Sequence, residues 1–85
     1  MDIKTFSLLY EAGDLVSARV VPSKQEPKSW GIVIERKSGA MEVMTLARTT
    51  TEKIYKLRET AINDAFKLGF KEIIVTEEDF KLGGV

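Results

Sequence analysis

The sequence predicts one α+β domain, in which an antiparallel sheet is covered on one face by a single long amphipathic helix. Alternating apolar and polar residues in the first half of the chain indicate strands. Between residues 49 and 69, apolar side chains instead recur at the spacing of a helix. The chain has 85 residues, which is enough for one domain and too few for two. We therefore treat 1–85 as one unit, and we expect 77–85 to form a short helical turn and a flexible tail.

The first half of the chain is predicted to form a meander of four strands. In the first of them Phe6, Leu8 and Tyr10 would share one face. In the second strand the alternation places Val16, Ala18 and Val20 together. The predicted strands are 3–10, 15–21, 30–37 and 41–48.

The third and fourth strands are predicted to form a hairpin, because Ser38 and Gly39 are typical turn residues. A two-residue turn would place Glu35 opposite Glu42, and two like charges directly opposite each other are unfavourable. A three-residue loop over 38–40 pairs Arg36 with Glu42 instead. We prefer that register, although a glycine in the middle of such a loop is unusual.

A long helix is predicted over 49–69. Thr49 and Glu52 have the spacing of a capping box, and Gly69 suits the left-handed end of a helix. The apolar residues fall in two stripes, of which the first would pack on the sheet. The first stripe is Ile54, Leu57, Ala61, Ala65 and Leu68, and the second is Tyr55, Ile62 and Phe66.

A final short strand is predicted over 71–76, covered on both sides because Ile73, Ile74 and Val75 form a continuous apolar run. The element order is then β-β-β-β-α-β. Counting strands along the chain, we expect a five-stranded antiparallel sheet in the order 4-3-2-1-5, with the last strand beside the first.

The residue types in the chain argue against an enzyme. It contains no cysteine and no histidine, which removes thiolate chemistry, the commonest general base and the commonest metal ligand. The acidic run over 77–79 is better explained as the favoured first turn of a short helix. We predict a non-enzymatic protein without a cofactor or a metal.

The sequence also favours a soluble, cytoplasmic protein. No stretch reaches the roughly 18 apolar residues of a membrane span. The first residues lack the basic start and apolar run of a secretory signal. A hydrophobic content of 44% with 31% charged residues is typical of a folded domain, so disorder of the whole chain is not expected.

The leading functional prediction is a small interaction or regulatory module that forms a homodimer or binds another protein. A sheet with a helix on one face normally has a polar outer face, but here the outer face would be apolar. A large exposed apolar patch marks an interface. The predicted interface residues lie on that face or on the second helix stripe: Leu9, Val21, Val33, Met41, Val43, Tyr55, Ile62 and Phe66.

The alternative prediction is a nucleic-acid-binding accessory protein. Residues 15–48 hold six basic residues against three acidic ones, although the net charge of the chain is zero. A dedicated nucleic-acid-binding protein is usually clearly basic, which weakens this alternative. Trp30 also fits the core, in line with Ile32 and Ile34. The predicted binding residues are Arg19, Lys24, Lys28, Trp30, Arg36, Lys37 and Arg48.

Overall fold

The protein is an α+β domain with a four-stranded mixed sheet and two helices, as a computed structural model of residues 1–47 and 51–76 shows. The predicted fold class is confirmed, while several elements differ from the prediction. The elements in chain order are α1 (Ile3–Glu11), β1 (Leu15–Pro22), β2 (Trp30–Arg36), β3 (Met41–Val43), α2 (Arg58–Lys67) and β4 (Ile74–Val75).

The first element is helix α1, so the predicted strand over 3–10 is wrong. Asp2 caps this helix, since its side chain accepts a 2.9 Å hydrogen bond from the amide of Thr5. Beyond the helix, Gly13 has a φ of 78°, the left-handed conformation that a helix end requires. Phe6 is fully buried, whereas 62% of Leu8 is exposed, so these two residues do not share a face as a strand would demand.

The strands β1 and β2 form the centre of the sheet and pair antiparallel, close to their predicted bounds. Their register shifts between Leu15 and Ser17, which makes Val16 the extra residue of a β-bulge. For this reason 53% of Val16 is exposed, whereas Leu15 packs against the core. The prediction that Val16 shares the inner face with Ala18 and Val20 is wrong.

Neither register considered for the hairpin is the observed one. Ile34 lies opposite Glu42 and Glu35 lies opposite Met41, so the loop is 37–39. Gly39 is the last loop residue and has a φ of 91°, which is the usual place for a glycine in a three-residue hairpin loop. This register keeps Glu35 and Glu42 apart.

The long helix predicted over 49–69 is shortened to α2, because residues 51–57 are not helical and instead form two isolated bridges to other parts of the chain. The amide of Tyr55 donates to the carbonyl of Trp30 at 2.8 Å, and the amide of Trp30 donates back at 2.7 Å. Glu52 pairs with Thr45 in a further antiparallel bridge, so the predicted capping box is wrong. Its other member, Thr49, lies outside the described residues.

The order of the sheet is β3-β2-β1-β4, and β4 runs parallel to β1. The predicted strand order and the prediction of a purely antiparallel sheet are wrong for one reason. The first predicted strand is the helix α1, so the last strand pairs with the free edge of β1. The side chains of Ile74 and Val75 are 45% and 39% exposed, which corrects the prediction of a strand covered on both sides.

The core lies between the sheet and the two helices. The largest fully buried side chains are Phe6, Ile32, Ile34, Met44 and Val20. The helix α2 contributes Ala61 and Ala65, both fully buried as the predicted first stripe requires. The prediction is wrong for Leu57 of the same stripe, which is 63% exposed because it precedes the first turn of α2. The expected helical turn and tail over 77–85 lie outside the described residues.

Candidate functional site

The outer face of the sheet, which we define as the face turned away from the helices, carries the candidate site. Ala18, Val20 and their neighbours on β2 face the core, so the residues between them face outward. The pairing places Arg19 opposite Val33, and Val33 opposite Val43, on this outer face. The predicted alternation therefore places Val33 and Val43 correctly.

A groove of about 420 Å³ lies on this outer face. Val21, Val33, Val43 and Pro22 form its apolar surface, while Lys24, Gln25 and Glu52 are polar. Val21 and Val33 are each only 5% exposed, so the groove has a recessed apolar floor. Its volume falls in the lower part of the range of ligand sites in proteins.

The loop that follows β1 carries Lys24 and Gln25 into the groove wall, and hydrogen bonds hold this loop. The amide of Ser23 donates to the carbonyl of Ser29 at 2.8 Å, which closes the loop at its base. The amide of Gln25 donates to the Ser23 hydroxyl at 3.2 Å. Lys28 has a φ of 60°, so the loop turns sharply before β2. This wall is therefore ordered by its own contacts.

Glu52 forms part of the groove because the bridge to Thr45 places it beside the sheet. Its carboxylate lies directly over Gly31: a Cβ atom at that position would come within 2.5 Å of Oε2. Burial raises the pKa of Glu52 above its ordinary value. Sequence reasoning assigned Glu52 to a helix cap and missed it here, since the glycine that makes room for it is distant in sequence.

The predicted interface residues divide between two sides of the molecule. Val21, Val33, Met41 and Val43 share the outer face. The remaining four do not: Tyr55 is buried in the core, and Leu9 of α1 and Ile62 of α2 are partly buried against it. Phe66, with 45% of its surface exposed, is the one member of the predicted second helix stripe classed as exposed.

The predicted nucleic-acid-binding residues do not form one surface among the described residues. Arg19 lies on the outer face, whereas Trp30 packs against the core and has Arg58 5.6 Å from its ring centre. Arg36 is held by Asp14 at 2.6 Å and by Glu42 at 3.5 Å. The hydrogen bond that Arg36 donates to Asp14 is the main reason that the pKa of Arg36 is raised. Lys24, Lys28 and Lys37 lie in exposed loops, and Arg48 is outside the described residues.

A polar cluster around Asp64 joins α2 to the extended segment before it. The Tyr55 hydroxyl donates to Asp64 Oδ2 at 2.6 Å, and Lys53 Nζ lies 3.2 Å from the same oxygen. Although burial alone would raise the pKa of Asp64, the hydrogen bonds from Tyr55 and Lys53 lower it below its ordinary value. The cluster pins Tyr55 in the core, which is a structural role.

Replacing Asp64 by asparagine should cost about 1.5–3 kcal/mol of unfolding free energy at neutral pH, the range for a hydrogen bond to a charged group. Because the folded-state pKa is depressed, this stabilisation is present above the unfolded-state value and is lost as pH falls through the folded-state value. Urea unfolding at several pH values measures it. If the asparagine variant loses the same amount of unfolding free energy at every pH, the charge of Asp64 does not contribute. The variant Tyr55→Phe tests the contribution of the hydroxyl group alone.

The described residues contain no group of three or more histidine, cysteine, aspartate or glutamate side chains placed to hold a metal ion. Among those same residues, no helix has both the length and the apolar character needed to cross a membrane. The groove on the outer face thus combines a recessed apolar floor with a partly buried carboxylate. Comparison with protein-family models, with curated proteins and with solved structures finds no significant match to this chain.

Proposed function

We propose that the protein is a small, non-enzymatic interaction module that binds a segment of a partner chain in the groove on its outer face. One observation carries the proposal, namely the recessed apolar floor of Val21 and Val33 with polar side chains around it. Binding sites typically combine an apolar surface with a few polar groups that fix orientation.

A second copy of this chain is the first partner to test, and a homodimer remains our proposal. The partly buried Val43 lines the groove, and Met41 lies next to Val43 along the outward-facing side of β3. Apolar side chains at an edge strand favour association, because a partner removes them from water. Association of this kind buries a self-complementary surface on both copies.

Binding of nucleic acid is the less favoured alternative. The basic residues that would carry it are dispersed over loops and over both faces of the sheet, and Arg36 is neutralised by two acids. Glu52 in the groove would also repel phosphate. Nucleic-acid binding would therefore have to rely on separate exposed lysines rather than on a built surface.

Light scattering across a concentration series, at low and moderate salt and with or without mixed-sequence DNA, separates these proposals. We expect the average molecular mass of the protein to rise with its concentration and to stay unchanged when DNA is added. Val43→Lys should weaken the association at least about tenfold, a change of 1.4 kcal/mol, because it places a charge at the apolar contact. Val33 is unsuitable for this test, since a lysine at a position only 5% exposed would threaten the fold itself.

The matched control is Val16→Lys, which makes the same substitution at a valine that is 53% exposed and outside the groove. Equal weakening by both variants would contradict the outer face as the contact. A monomer at all concentrations would exclude the homodimer and direct the search to other proteins. A mass shift on adding DNA that disappears with salt would favour the nucleic-acid alternative, because released counterions drive such binding.

A further inference from the structure

Building on the proposed function, we propose that the groove binds its partner through an arginine or lysine side chain. The aliphatic part of that side chain would lie on Val33 and Val43, and its cation would pair with the carboxylate of Glu52. The partner segment would then present a basic residue flanked by small apolar residues.

The carboxylate of Glu52 is available for such a pair. It has no hydrogen bond or ion pair with any of the described residues, although it is partly buried. It also lies close to the Cα of Gly31, where a Cβ atom would approach its Oε2 to 2.5 Å. A carboxylate held over apolar residues without a partner is the arrangement that a cationic group complements.

In this position, the charged form of Glu52 lowers the stability of the free protein. Burial raises its folded-state pKa, so its contribution to stability is present at low pH and is lost as pH rises through that value. At neutral pH the charged side chain therefore opposes folding, and a bound cation would relieve this penalty. A residue that lowers stability in a groove is a sign of a binding role.

The other charged group of the groove restricts where the cation can lie. Lys24 belongs to the loop wall and is exposed, so its ammonium group remains in water. Because Lys24 repels a second cation and Glu52 attracts it, the cation of a bound arginine or lysine is expected beside the Glu52 carboxylate. The groove volume of about 420 Å³ leaves room for one such side chain with its two neighbours.

The probe is an acetylated and amidated peptide with arginine between two valines, compared with the same peptide carrying neutral citrulline. Methyl NMR of the full-length protein would follow Val21, Val33 and Val43 during titration to millimolar peptide. We expect these methyl signals to shift, with the arginine peptide bound about tenfold more tightly than the citrulline peptide. Equal affinities, or no shift of the three valines, would overturn the proposal.

Two variants locate the effect at Glu52. Glu52→Gln should abolish the preference for arginine, and Gly31→Ala should reduce it without changing any charge, because the new Cβ displaces the carboxylate. The matched control is Glu26→Gln, which removes an exposed carboxylate from the adjacent loop but not from the groove. An equal loss with Glu26→Gln would show a general charge effect and refute the specific pair.

These results remain distinct from those of the association experiment. If Val43→Lys disperses the protein and the peptides do not discriminate, the interaction module stands and the basic partner residue is wrong. If the peptides discriminate and the protein is a monomer, the groove binds a basic segment of a different protein. Glu52→Gln should also raise the urea midpoint at neutral pH and leave it unchanged at acid pH, which tests the cost of the carboxylate without any ligand.

Discussion

Replacing Phe6 by alanine should lower the free energy of unfolding by about 3–5 kcal/mol, the largest loss that we expect from one substitution. Phe6 is fully buried and is among the largest buried side chains, so its removal leaves a cavity between α1 and the sheet. A chain of this size has a total stability of about 4–13 kcal/mol, so this one substitution should remove a large share of it. Urea unfolding followed by circular dichroism measures the loss.

Leu8→Ala is the matched control for Phe6, because 62% of Leu8 is exposed. We expect a change within about 0.5 kcal/mol, as for most surface substitutions. The comparison also tests the conformation of the segment. In a strand Phe6 and Leu8 would share a face and lose similar stability, whereas in helix α1 they point to different sides. Comparable losses would therefore contradict the helix.

Replacing Gly69 by alanine should cost about 2–5 kcal/mol, for two separate reasons. Gly69 has a φ of 121°, a conformation that disfavours any Cβ by about 1–2 kcal/mol. A Cβ would also come within 2.6 Å of the ring of Tyr10, and relieving such overpacking costs about 1–3 kcal/mol. The Tyr10 hydroxyl donates to the Gly69 carbonyl at 2.7 Å, so the ring is not free to move away.

Gly13→Ala separates those two reasons. Gly13 also has a positive φ, of 78°, but nothing lies within 4 Å of the place of its Cβ. We expect only the backbone cost of about 1–2 kcal/mol at this position. Thermal melts of both variants give the difference, which reports the contact between Gly69 and Tyr10 together with the difference between the two φ values. Equal losses would mean that the Tyr10 ring adapts without cost.

Most of the central sheet and part of α2 could be predicted from local patterns. The strands β1 and β2 are long, alternate regularly and end at proline or turn residues. Their sequence pattern therefore favours a strand over any other secondary structure. Ala61, Ala65 and Leu68 recur at helical spacing and are buried as expected. These features depend on neighbouring residues alone.

The first segment was misread because two patterns compete in it. Phe6, Leu8 and Tyr10 alternate like a strand, whereas Ile3, Phe6 and Tyr10 recur like one side of a helix. The cap at Asp2 and the glycine at position 13 were the local signals that favour the helix. They show that capping residues deserve more weight than alternation in a stretch this short.

The groove could be predicted only in part. Alternation places Val21, Val33 and Val43 together on the outer face, and this holds in the structure. The site of Glu52 depends on the bridge to Thr45 and on the space left by Gly31, contacts that join residues distant in sequence. No local pattern contains that information.

The sequence by itself determined the fold class, the two central strands and the placement of Val21, Val33 and Val43 on the outer sheet face, because each depends on the periodicity of adjacent side chains. Only the tertiary structure decided where α2 begins and which strand β4 joins. The backbone of Tyr55 bonds to Trp30 across the chain instead of entering a helix, and β4 occupies the edge of β1 that helix α1 leaves open. Both outcomes arise from long-range hydrogen bonding, which outweighs local helix and strand preference once the core has formed.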